Sequence, residues 1–146
     1  MWYNLKMTSS LTVTFSGTTP VLQVKFLPEI LLDEDVDYSC ALLDLIIKNV
    51  NLKKLSDLGV IRIDCDIISG SYINGVRKHT IHQFVIGSSN EKGRTLVEIP
   101  KHLNYFPIKT KNLRSVSISL IDQNGTEIIA DGVEIICRIN IKRDSK

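Results

Sequence analysis

His79 and His82 stand three residues apart in Lys78-His79-Thr80-Ile81-His82-Gln83-Phe84, a spacing that on a helix would bring both imidazoles to one face and begin a metal site. The segment alternates like a strand, where the same step sends the rings to opposite faces, and no third ligand stands nearby. Asp64 and Asp66 flank Cys65 and share a strand face with Arg62, an arrangement that can hold Mg²⁺ or share a proton. Ile61, Ile63, Cys65 and Ile67 form the apolar face of that run, which leaves the acidic pair on the solvated side. The cluster Asp33-Glu34-Asp35 with Asp37 lacks the glycine and closing glutamate of an EF-hand loop and reads as a polar connection. Cys40 and Cys137 have no histidine in sequence context and no helix N-terminus to depress a thiol pKa. His102 is a lone histidine in a loop. No phosphate-cradling glycine loop, nucleophile elbow or HExxH occurs. Arg77, Lys78, Lys92 and Arg94 could form a weak phosphate patch, but the interleaved aromatics of a single-strand reader are missing. The residues therefore predict no catalytic group, no cofactor and no metal.

The elements that would position these groups are strands. Leu11 to Phe15, Val21 to Leu27, Tyr38 to Lys48, Gly59 to Ile68, His79 to Ile86 and Thr95 to Ile99 are apolar or alternating runs, punctuated by Pro20, Pro28, Pro100 and Pro107. From Arg114 the even positions Val116, Ile118 and Leu120 oppose Ser115, Ser117 and Ser119, the period of a strand with one buried face. After Asn124-Gly125, a pair suited to a type I′ turn, the chain continues through Val133, Ile135, Cys137, Ile139 and Ile141. Leu113 to Arg143 thus reads as one long β-hairpin. Gly70, Asn74 and Gly75 are expected as further turn formers. Leu52, Leu55 and Leu58 before Gly59 predict at most one short helix over 51–58. The whole is expected to be an all-β antiparallel sandwich, a single domain over 1–146 with mobile ends at 1–9 and 143–146.

Composition agrees with that class. Of the 146 residues 43% are hydrophobic and 23% charged, which suits a globular domain able to bury a core without disulfides or metal. The formal charge of +2 is too small to imply nucleic acid as a specific partner or an acidic membrane. Cys40, Cys65 and Cys137 are odd in number and sit in apolar runs, so they read as buried thiols of a reducing compartment. Met1 to Thr14 lacks the apolar run of a signal peptide, which gives an intracellular expectation, and the apolar runs are too short to span a bilayer. Asn124-Gly125-Thr126 matches the glycosylation sequon but is better explained as a turn.

Several ordered motifs carry a resemblance: Cys65-Asp66-Ile67-Ile68-Ser69-Gly70-Ser71-Tyr72-Ile73-Asn74-Gly75, His79-Thr80-Ile81-His82-Gln83-Phe84, Val97-Glu98-Ile99-Pro100, Tyr105-Phe106-Pro107-Ile108 and Ile121-Asp122-Gln123-Asn124-Gly125. Between about Gly59 and Lys142 the chain resembles jelly-roll capsid proteins of the minor capsid or penton type, encoded by Polinton/Maverick elements and adintovirus-like integrated DNA viruses. Phe15-Ser16-Gly17, Phe26-Leu27-Pro28 and Tyr38-Ser39-Cys40 extend the likeness more weakly. The chain departs from the family where Lys48 to Leu58 replaces a longer segment, so a shortened or rearranged jelly roll is expected. The resemblance implies a non-enzymatic scaffold that forms a homo-oligomer or joins other capsid proteins in a virion. The row Ser115, Ser117 and Ser119 is the expected assembly face, being uncharged and so neither repelling a neighbour nor marking a solvated exterior. A host-domesticated interaction module and a ligand-binding β-sandwich are the alternatives.

Overall fold

The computed structural model describes residues 5–6, 10–50, 59–73, 75–87, 91–128 and 132–144. Two antiparallel sheets pack face to face around a common apolar core. The first contains β3 (Val21–Leu31), β12 (Asn112–Asp122), β5 (Val60–Cys65) and β8 (Thr80–Val85) in that order, with β1 (Leu5–Lys6) added in parallel beside β3. The second runs β2 (Ser10–Gly17), β13 (Glu134–Arg143), β4 (Tyr38–Lys48), β10 (Thr95–Glu98) and β9 (Glu91–Lys92), with β11 (Phe106–Pro107) also on β4. Successive long strands cross from sheet to sheet, except that β5 and β8 are neighbours joined through the small hairpin of β6 (Ser71–Ile73) and β7 (Val76–Lys78). This interleaving of eight long strands is a jelly roll.

Alternation decides which side of each strand enters the core. On β12 Val116, Ile118 and Leu120 are fully buried, and on β13 so are Ile135, Cys137, Ile139 and Ile141. Strand β4 is buried along almost its whole length, as befits a central strand covered on both sides. On its outer side Asp44 receives a two-point bond from the Arg138 guanidinium, with Nε 3.0 Å from Oδ1 and Nη2 on Oδ2. Farther along that side the Tyr105 hydroxyl donates to Asn140 Oδ1 at 2.9 Å, and the Lys142 ammonium lies 4.0 Å from the Tyr105 ring centre.

The long hairpin expected over Leu113 to Arg143 is not formed. β12 and β13 lie in opposite sheets, because alternation marks which face of each strand is buried but not whether the two share a sheet or meet across the core. The chain does reverse after β12, but only briefly. Asp122 N–H donates to Thr126 O at 2.8 Å, Gly125 N–H donates to Asp122 O at 3.1 Å, and Ile121 pairs with Glu127 before the chain leaves for the other sheet. Nor is the turn type I′. Gly125 has φ 81° whereas Asn124 is not left-handed, which fits a three-residue loop with glycine in the αL position. The Asp122 carboxylate accepts the N–H groups of Asn124 and Thr126 and so ties the loop together.

Among the described residues the eight strands that cross between the layers complete the two sheets of a jelly roll, while the segment expected to be shortened lies mostly outside the described residues. The helix expected over 51–58 lies outside the described residues. Arg143, placed in the expected mobile end 143–146, closes β13, and Asp144 N–H donates to Asp37 O at 2.8 Å.

Two substitutions test this packing. Ile118→Ala empties part of the shared core and is expected to cost about 2–5 kcal/mol in urea unfolding; a loss within experimental scatter would show that the inner face of β12 is misassigned. Gly70 has φ 89°, and a Cβ there would stand 2.4 Å from Lys78 O at the base of the β6–β7 hairpin. Gly70→Ala should therefore lower stability by at least about 1–3 kcal/mol, the cost of one strained backbone position, and an unchanged urea midpoint would contradict that geometry.

Candidate assembly surface

The outer face of the first sheet is built in cross-strand rows. Register places Val21, Ser119 and Asp64 in one row, Gln23 and Ser117 in the next, and Lys25 beside Ser115 in the third. Their partners Leu22, Val24, Val116 and Ile118 point the other way, toward the core, which is why the serines face out. All three serines are half-buried between flanking strands.

Beyond Ser115 the sheet edge is deformed. Between the pairs Leu113–Ile30 and Ser115–Lys25, β3 advances five residues while β12 advances two, so Phe26 to Glu29 bulge out of the ladder. Phe26 packs back on the core, whereas Leu27 is 93% exposed. An open, mainly apolar groove lies between the bulge and β12, lined by Phe26, Leu27, Pro28 and Ser115 and flanked by Lys25. The Glu29–Arg114 ion pair, 2.9 Å from Oε2 to Nε, also lines it. Sequence reasoning passed over this bulge. The available signal was Phe26-Leu27-Pro28, where Leu27 sets an apolar residue on the face opposite Leu22, Val24 and Phe26, which alternation leaves to polar ones.

The other residues singled out by type serve the framework. His79 Nδ1 is 2.9 Å from Ile68 O, and His82 Nε2 is 2.7 Å from Glu98 Oε2, so the two rings have separate partners. The His82–Glu98 contact joins β8 of one sheet to β10 of the other and closes one side of the sandwich. Asp64 accepts the Thr80 hydroxyl at 2.8 Å, and Asp66 accepts Ser117 N–H at 2.9 Å. Arg62, outward like Asp64, is nevertheless 7% exposed.

The thiols Cys40, Cys65 and Cys137 are all buried. A hydrogen bond with Cys65 and burial push the Cys40 thiol up, and burial does the same to Cys137, so both stay protonated and poorly nucleophilic. Asp33, Glu34 and Asp35 are exposed in the connection after β3. There Lys111 donates to Val36 O and its ammonium lies 5.4 Å from the Tyr38 ring centre. Among the described residues no three His, Cys, Asp or Glu side chains are arranged to hold a metal. Nor is any described helix long and apolar enough to cross a membrane. Of the basic residues, Arg94 is exposed and Lys78 half-buried. Gly70, Gly75 and Gly125 are left-handed, while Asn74 lies outside the described residues.

No family model and no curated protein matches the chain. A solved structure does: the mavirus penton protein superposes with a TM-score of 0.66 over 92% of this chain and 100% of its own, at 7% sequence identity. So low an identity carries the fold alone, and on that fold the strand order and the comparison agree: this chain is a jelly-roll β-sandwich of the architecture found in that capsid protein.

Proposed function

We propose that the chain is a non-enzymatic structural subunit of a capsid-like shell, a single sandwich unit that associates with copies of itself or with other capsid proteins. The observation that carries this reading is the match in fold over the full length of a penton protein. The outer face of the first sheet supports it. The serine row is uncharged, so it neither repels a neighbour nor holds a strongly hydrated shell, and the exposed Leu27 stands beside an apolar groove that a partner could fill. Capsid subunits work by surface, and the chemistry such a role requires is shape and burial more than reactive groups. In that reading the protein acts in the virion.

Light scattering and native mass spectrometry at rising concentration test the reading. The expected result is a mass above that of one chain, through contacts that bury on the order of 1,000 Å² or more. Leu27→Asp and Ser117→Lys should each shift the particle toward monomer while leaving the far-ultraviolet circular dichroism unchanged. A parent that stays monomeric at every concentration, alone and with co-expressed capsid proteins, would overturn the proposal in favour of an interaction module that has lost assembly.

A further inference from the structure

Among the described residues, Arg62 is a charged side chain whose surroundings do not account for it. Its neighbours Ile61 and Ile63 are fully buried in the core, so alternation sends the arginine to the outer face of the first sheet, opposite Ile121 of β12 and Gln83 of β8. It is nonetheless 7% exposed, and among the described residues neither Nε nor Nη2 has a hydrogen-bond acceptor. A buried Nε/Nη2 edge without acceptors is unfavourable, since those N–H groups have lost their water and gained nothing in return.

The Nε/Nη2 edge is the fork that takes two coplanar oxygens, and this chain shows it at work: Arg138 holds both oxygens of Asp44 with those same two nitrogens. At Arg62 the fork is empty. Asp64, two residues along on the same face, already accepts from the Thr80 hydroxyl, and no ion pair joins it to Arg62. Ile121 opposite offers no acceptor in its side chain. Register puts Arg62 on the outward side of β5, so the approach to the fork is from the outer face of the first sheet and not through the core.

We propose that Arg62 is a binding site for a two-oxygen anion, a carboxylate, supplied either free in solution or by an acidic side chain of a second copy of this chain. The proposal does not depend on the capsid reading, since a free anion would satisfy the fork in a monomer. Occupancy converts an unfavourable buried charge into a two-point pair, so the liganded fold is more stable than the empty one. Lysine cannot substitute, because it keeps the charge but lacks the planar fork.

The test compares the parent with Arg62→Lys in thermal melts under sodium acetate or sodium chloride at matched ionic strength, with the mass of each measured alongside. A free-anion site predicts a parent melting temperature that climbs with acetate above the chloride control, a rise missing in Arg62→Lys. A carboxylate from a second copy predicts no acetate-specific rise but an oligomer that Arg62→Lys reduces to monomer with its circular dichroism intact. If the variant and the parent show the same acetate response and the same mass, the proposal falls. Should Arg62→Lys not fold, the parent alone decides: a melting temperature indifferent to acetate together with a mass independent of concentration overturns it.

Discussion

Everything in this molecule depends on hiding two rows of apolar side chains against each other. Val116, Ile118 and Leu120 on the second strand of one sheet, and Ile135, Cys137, Ile139 and Ile141 on the second strand of the other, are all removed from water within one cluster. Neither row could be shifted by one residue without turning every serine or charged partner inward, so register is fixed by burial along the full length of both strands. The remaining strands complete the two layers around this pair, and the chain crosses between layers because each layer alone leaves one greasy face uncovered.

The polar contacts are placed where that scheme leaves gaps. His82 and Glu98 link the two sheets along one side, Arg138 and Asp44 cover part of the outer side of β4, and Tyr105 with Asn140 covers more. Exposed ion pairs such as Glu29 with Arg114 add little stability, and this one links the Leu27 bulge of β3 to β12. The three thiols follow the same logic. They fill small volumes in the core, and the burial that makes them good packing residues is what holds them protonated and unreactive.

A scaffold of this kind concentrates its functional options on the outside. The first sheet offers an outer face with a row of serines set between Lys25 and Asp64, and an exposed apolar side chain at Leu27. Bulges and irregular pairings are common where sheets meet partners, because they aim side chains that a regular ladder would keep flat. The jelly roll itself is silent on which partner comes, since one fold serves many roles.

The sequence by itself determined the strands and their inner faces. All eight long strands were legible from alternation and from the prolines and glycines between them, and Val116 to Leu120 and Ile135 to Ile139 were recognisable as core because period two admits only one buried side. The resemblance in Cys65 to Gly75 and the later motifs pointed to the same architecture. Tertiary structure alone decided which strand lies beside which. Alternation marks the face of β12 and of β13 but says nothing about whether the two sit side by side or across the core, and the short connection through Gly125 looked like a hairpin for that reason. It also decided the fate of single polar residues. Asp66 braces Ser117, His82 reaches Glu98 and Arg62 is left without an acceptor among the described residues, outcomes fixed by strands that are distant in sequence and meet only when both sheets are built.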